Sequence, residues 1–121
     1  VIAIHDAVRP LIDSEIIESS YLSAIEHGSG VCSVKLRDSI RRISGKENRA
    51  LDRKEYVLMQ TPQTFNLKEI KMAYSQAEND QFTDEASVWE SFGKEVRLVE
   101  GSSRNIKITF KEDLKIFEAL L

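Results

Sequence analysis

His5, Asp6 and Arg9 fall within five positions (HDAVR), directly after the apolar run VIAI and just before Pro10. Those residue types at that spacing can do phosphate chemistry. A carboxylate offers a hard oxygen to a divalent cation, and an arginine three residues on can grip a phosphate through two parallel hydrogen bonds. The same Asp-Arg pair beside a turn also fits a purely structural ion pair, and His5 reads as a satisfied packing residue rather than a base. Far along the chain, Lys107 sits in NIKIT, an apolar setting in which an inward-facing ammonium needs an anionic partner and an outward-facing one needs none. Thr83 in TDEAS offers a hydroxyl and the free N-H groups of a helix start, which suit a phosphate but equally make a plain N-cap. Arg9, Lys107 and a metal-linked Asp6 would serve phosphoryl-type transfer by positioning and by neutralising charge, with little covalent work asked of the protein.

For Asp6 and Arg9 to meet a ligand, the run before them must be a strand whose carboxyl end opens onto a site, as in open α/β sheets. Val1 to Ile4 fits: it is short, β-branched and poorly alternating, the pattern of a strand covered on both faces. From Ser14, read as an N-cap, Ile16, Ile17, Leu22, Ala24 and Ile25 recur at helical spacing until Gly28 and Gly30 break the pattern. Gly30 to Leu36 then reads as a second strand, so the first third is a βαβ unit and predicts a parallel sheet.

Residues 37–60 are dense in charge, with a turn signal at Gly45 to Asn48 between two stretches that can pair. A polar hairpin of this kind finds little core of its own. It is a solvated excursion or an arm that packs on a partner. Ser39 and Arg53 lie on it, where isolated residues of their type are ordinarily just solvated. Thr61 to Phe65 reads as a short loop. Leu67, Ile70, Ala73, Tyr74 and Ala77 make a helix face, and Thr83 caps a further helix that carries Asp84 and Glu85 in its first turn and ends at Gly93. Trp89 is spaced with Ala86 and Phe92 as a core residue. Val96 to Val99 and Ile106 to Thr109 read as strands, and Lys111 to Leu121 as a closing helix.

The totals bound the possibilities. A chain of 121 residues that is 41% hydrophobic can bury one domain-sized core. With 17 basic and 20 acidic side chains well mixed, the net charge of -3 leaves no basic face for a nucleic acid. No apolar run approaches the roughly 18 to 20 residues of a membrane span, and no signal-peptide pattern is present, so a cytoplasmic protein is expected. Cys32 is the sole cysteine and its neighbours are apolar, which marks it as a small core residue. The strands are too few for a complete doubly wound sheet. Residues 1–121 are therefore expected to be the C-terminal portion of one larger domain, with 37–60 as an arm within it.

Taken in order, HDAVRP, RDSI, ALDR, TPQTF, TDEAS and EGSSRNIKIT resemble the 2-C-methyl-D-erythritol 4-phosphate cytidylyltransferases of non-mevalonate isoprenoid biosynthesis, over essentially the whole chain. The resemblance implies a Rossmann-like nucleotidyltransferase fold of the α/β class with a protruding β-hairpin dimerisation arm. It implies a homodimer that joins CTP to methylerythritol phosphate with Mg2+ and releases pyrophosphate. Through HDAVRP, Asp6 would lie by substrate, nucleotide and metal, Ala7 beside the nucleotide, and Arg9 near the substrate. Thr83 would bind substrate, Lys107 would contact phosphates of both reactants, and Arg53 would reach the neighbouring subunit's substrate; Arg53 and Lys107 would be the catalytic pair. Ser39 stands where many members have threonine, which keeps the hydroxyl.

The family's glycine-rich loop, with the basic residues that bind the CTP triphosphate, does not occur in these 121 residues, so the chain alone is expected to be inactive. The alternatives are ribitol 5-phosphate cytidylyltransferase, which shares HDAVRP-like, TPQ-F and NIK-T elements but departs at TDEAS and ALDR, and a non-catalytic dimerisation fragment.

Overall fold

The computed structural model describes residues 1–77 and 82–121. Strands β1 (Ile2–Ile4), β2 (Ser29–Lys35), β5 (Val57–Phe65) and β6 (Leu98–Glu100) form a sheet in the order β1-β5-β2-β6, while β3 (Ile40–Ser44) and β4 (Glu47–Leu51) form a separate ribbon. The helices are α1 (Ser14–His27), α2 (Leu67–Gln76), α3 (Glu85–Ser91) and α4 (Asp113–Leu120).

The expected parallel sheet is in fact mixed. β5 lies between β1 and β2 and runs antiparallel to both, with Ile2 opposite Phe65 and Gly30 opposite Thr64, whereas β2 and β6 are parallel. Thr61 to Phe65, expected as a loop, is the end of β5, which at nine residues is a long central strand. Its polarity concealed it. Gln60, Thr61, Gln63 and Thr64 are all buried, and each finds a distant partner. Gln63 Nε2 donates to Asp84 Oδ2 at 3.1 Å and its Oε1 accepts from the Ala86 N-H at 2.9 Å, while the hydroxyls of Thr64 and Ser20 share a hydrogen bond of 2.9 Å. Unpaired, such groups would each cost ~1–3 kcal/mol to bury.

Alternate residues of β2 and β5 serve opposite faces. Gly30 and Thr64 meet α1. A Cβ at Gly30 would run into the Ser20 carbonyl oxygen, so the glycine lets the helix lie close on the sheet. Helix α1 turns Ile16, Ser20 and Ala24 inward, and the expected face residues Ile17, Leu22 and Ile25 remain exposed. On the other face, Val31 and Phe65 pack with Ile70 and Ala73 of α2 and with Ala86, Val88 and Trp89 of α3. The Phe65 and Trp89 rings lie 5.2 Å apart, and Trp89 Nε1 donates to the Glu95 carbonyl at 3.0 Å. Cys32 is buried in β2, and that burial pushes its thiol up to about 11.

Element ends differ in informative ways. Asp13 caps α1 rather than Ser14, and Asp84 caps α3 rather than Thr83; their carboxylates accept from the N-H groups of Ile16 at 2.9 Å and Ser87 at 3.0 Å. A carboxylate accepts the bond and also carries a charge suited to a helix N-terminus. Val96 to Val99 shifts to Leu98–Glu100. Ile106 to Thr109 is no strand. That stretch leaves a run of turns, in which the Asn105 N-H donates to the Ser102 carbonyl at 3.0 Å, and is pinned by the Ile108 N-H to the Val8 carbonyl at 2.9 Å.

Within the expected 37–60 hairpin, pairing runs from Ile40–Leu51 to Ser44–Glu47 around Gly45, whose φ of 59° suits the tight turn. Residues 57–60 belong instead to β5. Every residue from Arg41 to Ala50 is exposed, so the ribbon has no core of its own.

Candidate functional site

β1 stops at Ile4 and the chain turns at once, the Arg9 N-H donating to the Asp6 carbonyl at 3.0 Å. The turn sets Arg9 Nε 3.3 Å from Asp6 Oδ2. From the far end of the sequence, Lys107 Nζ reaches the same oxygen at 3.3 Å. The anionic partner expected for Lys107 is thus Asp6, but the lysine comes from an irregular segment rather than a strand, and its side chain is 51% exposed. Arg9 is more enclosed, at 11%, and its Nη1 donates to the Asn105 carbonyl at 2.7 Å. One carboxylate between two cations leaves a net positive charge, which suits a phosphate.

The turn is fixed from beneath by β5. Thr61 Oγ1 accepts from the Asp6 N-H at 3.0 Å and lies 3.0 Å from His5 Nδ1, while His5 Nε2 lies 2.9 Å from the Arg9 carbonyl. That carbonyl can only accept, so Nε2 carries the proton and, in the neutral ring, Nδ1 accepts from the threonine hydroxyl. His5 is therefore a satisfied residue that ties the turn to itself.

Arg9 and Lys107 stand on the wall of a cavity of about 740 Å³. Leu58, Ile106 and Ile116 give it apolar surface, and Lys35, Arg37 and Asp113 add charge. Asp113 Oδ2 accepts from the N-H groups of Thr109 and Phe110, both at 2.8 Å, and these bonds hold its carboxyl below the ordinary range. A hollow of this size, apolar with a few converging charges, has the dimensions of a small-molecule site.

The other predicted residues lie elsewhere. Ala7 is exposed beside Asp6, and Ser39 is exposed and off the cavity wall, between Asp38 and Ile40, which line it. Arg53 opens a short 3-10 turn after the ribbon and donates at 2.6 Å to the carbonyl of Arg37, a residue of the cavity wall, without lining the cavity itself. Thr83 lines a separate hollow of about 340 Å³ with Tyr74, Asp84 and Glu85. There the Tyr74 hydroxyl donates to Glu85 at 3.2 Å, and burial together with the Glu85 charge pushes that hydroxyl's pKa up.

For a divalent cation the donor set is small. Among the described residues no group of three or more His, Cys, Asp or Glu gathers to hold a metal. Asp6 can give Mg2+ one oxygen, with phosphate oxygens and water filling the remaining positions, which is the ordinary way this ion is held beside phosphates. Gln60, Thr61 and Asn105 are the supporting residues that sequence reasoning passed over; the run TPQTF drew attention as a motif, but nothing in it signalled a strand beneath the site.

A family model described as 2-C-methyl-D-erythritol 4-phosphate cytidylyltransferase matches residues 1–121. The chain belongs to that family. Proteins of Phocaeicola vulgatus and Clostridium novyi named 2-C-methyl-D-erythritol 4-phosphate cytidylyltransferase are 38% identical over 120 residues and 41% identical over 125 residues, covering 99% and 100% of this chain. The chain spans about half the length of these curated relatives, 55% and 54% respectively. Crystal structures of cytidylyltransferases of the same name from Thermus thermophilus and Francisella tularensis superpose with TM-scores of 0.88 and 0.86 at 29% and 32% identity. Each covers 98% of this chain, which in turn covers 60% and 58% of those chains. The α/β nucleotidyltransferase fold that the resemblance implies is therefore the fold of this chain. Among the described residues no helix is long and apolar enough to cross a membrane.

Proposed function

We propose that this chain forms the sugar-phosphate side of an enzyme that joins CTP to 2-C-methyl-D-erythritol 4-phosphate, giving 4-diphosphocytidyl-2-C-methyl-D-erythritol and pyrophosphate. The observation that carries the reading is the bridge at Asp6, which holds Arg9 and Lys107 together at the wall of the 740 Å³ cavity. A phosphate oxygen of the sugar attacks the α-phosphorus of CTP, a P-O bond forms, and the bond to the β-phosphate breaks with pyrophosphate leaving. Such a transfer asks the protein for position and charge rather than for a covalent intermediate.

In this reading Arg9 and Lys107 hold the sugar phosphate, Lys107 also meets the nucleotide phosphates, and Asp6 orients both cations. Asp6 would hold Mg2+, which would supply further neutralisation of the developing charge. Ala7 lies beside the nucleotide, and Ser39 and Thr83 add hydroxyl contacts to the substrate. Arg53 serves the site of a second subunit: the 40–51 ribbon, exposed over 41–50, is the dimerisation arm of a homodimer, and the guanidinium that follows it does not line its own cavity. The working compartment is the cytoplasm. These residues by themselves, without the glycine-rich loop of the family, do not turn over.

Full-length protein given CTP, Mg2+ and methylerythritol phosphate should release pyrophosphate, and the 121-residue chain alone should not. Faster turnover of ribitol 5-phosphate than of methylerythritol phosphate would overturn the reading.

A further inference from the structure

We propose that Asn105, supported by Gln60, is a positioning residue that sets where Arg9 and Lys107 stand relative to each other; this rests on the cytidylyltransferase reading above. Arg9 and Lys107 arrive from opposite ends of the chain, and each segment is tied to β5 rather than to the other by regular structure. Asn105 is the junction. Its side chain is fully buried, and Nδ2 donates to the Thr61 carbonyl at 2.8 Å and to Gln60 Oε1 at 3.3 Å. Its own carbonyl accepts from Arg9 Nη1 at 2.7 Å and from Gln60 Nε2 at 3.4 Å. Gln60 also brackets Ser102, donating to its carbonyl at 2.9 Å and accepting from its N-H at 3.3 Å. Lys107 follows two residues after this knot. One residue therefore meets the strand through its side chain and the arginine through its main chain, on the segment that carries the lysine.

The two ends of the Asn105 side chain differ, Nδ2 being bonded twice and Oδ1 not at all. Its Oδ1 is buried and has no hydrogen-bond partner among the described residues. An acceptor left unpaired in this way costs free energy, which offsets part of what the two Nδ2 bonds contribute. The amide is suited to holding a backbone carbonyl where the Arg9 guanidinium needs it. Misplacing a reacting or charge-bearing group by ~1 Å costs on the order of 100-fold in rate, so the knot has leverage on turnover.

The test is a double-mutant cycle in the full-length enzyme. Asn105→Leu should lower kcat/KM for methylerythritol phosphate on the order of 100-fold while leaving the KM for CTP nearly unchanged. In a Lys107→Ala background the same substitution should cost clearly less than in the wild type, because only Arg9 is then left to misplace. Calorimetric binding of methylerythritol phosphate should show the same non-additivity. Equal losses in both backgrounds, or a matching rise in the KM for CTP, would show a merely structural role and overturn the proposal. Should Asn105→Leu fail to fold, Gln60→Met carries the same cycle, since it keeps the length of the buried side chain and removes its bonds to Asn105 and Ser102 without adding a charge. Wild-type turnover with CTP and methylerythritol phosphate reports separately on the reading of the site, and its absence would sink both.

Discussion

Replacing Asp6 with asparagine keeps the side chain's shape and removes the charge that Arg9 and Lys107 share. Its effects on stability and on catalysis should differ widely in size. The side chains are part-solvated, 34% for Asp6, 51% for Lys107 and 11% for Arg9, so the ion pairs fall in the range of ~0–1 kcal/mol each, with the lysine pair at the low end. Arg9 keeps its bond to the Asn105 carbonyl at 2.7 Å. A total loss of about 1 kcal/mol corresponds to a fall of about 2–4 °C in melting temperature for a chain of 150–250 residues. Catalysis should suffer far more. The amide cannot orient both cations or give a hard cation a charged oxygen, and removing one preorganised group of this kind costs about 100- to 1000-fold in kcat, or roughly 2.7–4 kcal/mol. The sugar-phosphate KM should not rise, because the local charge becomes more positive. The assay is pyrophosphate release by the full-length enzyme over a magnesium titration, alongside a thermal melt. An unchanged kcat would remove Asp6 from the machinery; a melting temperature lowered by more than about 10 °C would make it a structural keystone instead.

Two further outcomes are expected. Arg53→Ala and Asp6→Asn proteins, each inactive alone, should recover up to about half the activity per site when mixed as heterodimers, because one site then has both residues intact; heterodimers confirmed by mass that stay inactive would confine Arg53 to its own subunit. Burial raises the Asp84 carboxyl, but hydrogen bonds from Ser87 and Gln63 together hold it below its ordinary 3.8. A depressed folded value means stabilisation that is present above the unfolded pKa and lost as pH falls through the folded one. Asp84→Ala should therefore lower stability by about 1 kcal/mol near neutral pH, and the gap from wild type should close as pH drops below 3.8. A gap that persists unchanged into strong acid would contradict this assignment.

The motif residues were legible because their chemistry is carried by type and order. HDAVRP marked a strand end, the apolar spacing found α1 and α2, and Trp89 and Cys32 were recognisable as core. The cap positions were off by one, at Asp13 and Asp84, because a hydroxyl and a carboxylate next to each other compete and only the realised hydrogen bond decides.

By itself, the sequence determined the α/β class, the family and the residue types available for phosphate chemistry, since these follow from periodicity, punctuation and motif order. Tertiary structure decided the rest. Whether Thr61 to Phe65 is a loop or a central strand depends on partners tens of residues away, and the polar groups of β5 are satisfied by His5, Ser20, Asp84, Ala86 and Asn105. Whether Lys107 faces solvent or an anion depends on Asp6, about a hundred positions earlier. Local propensity extends over a few residues, whereas hydrogen bonds and ion pairs act only between groups that the chain's long-range pairing has already brought within about 3 Å.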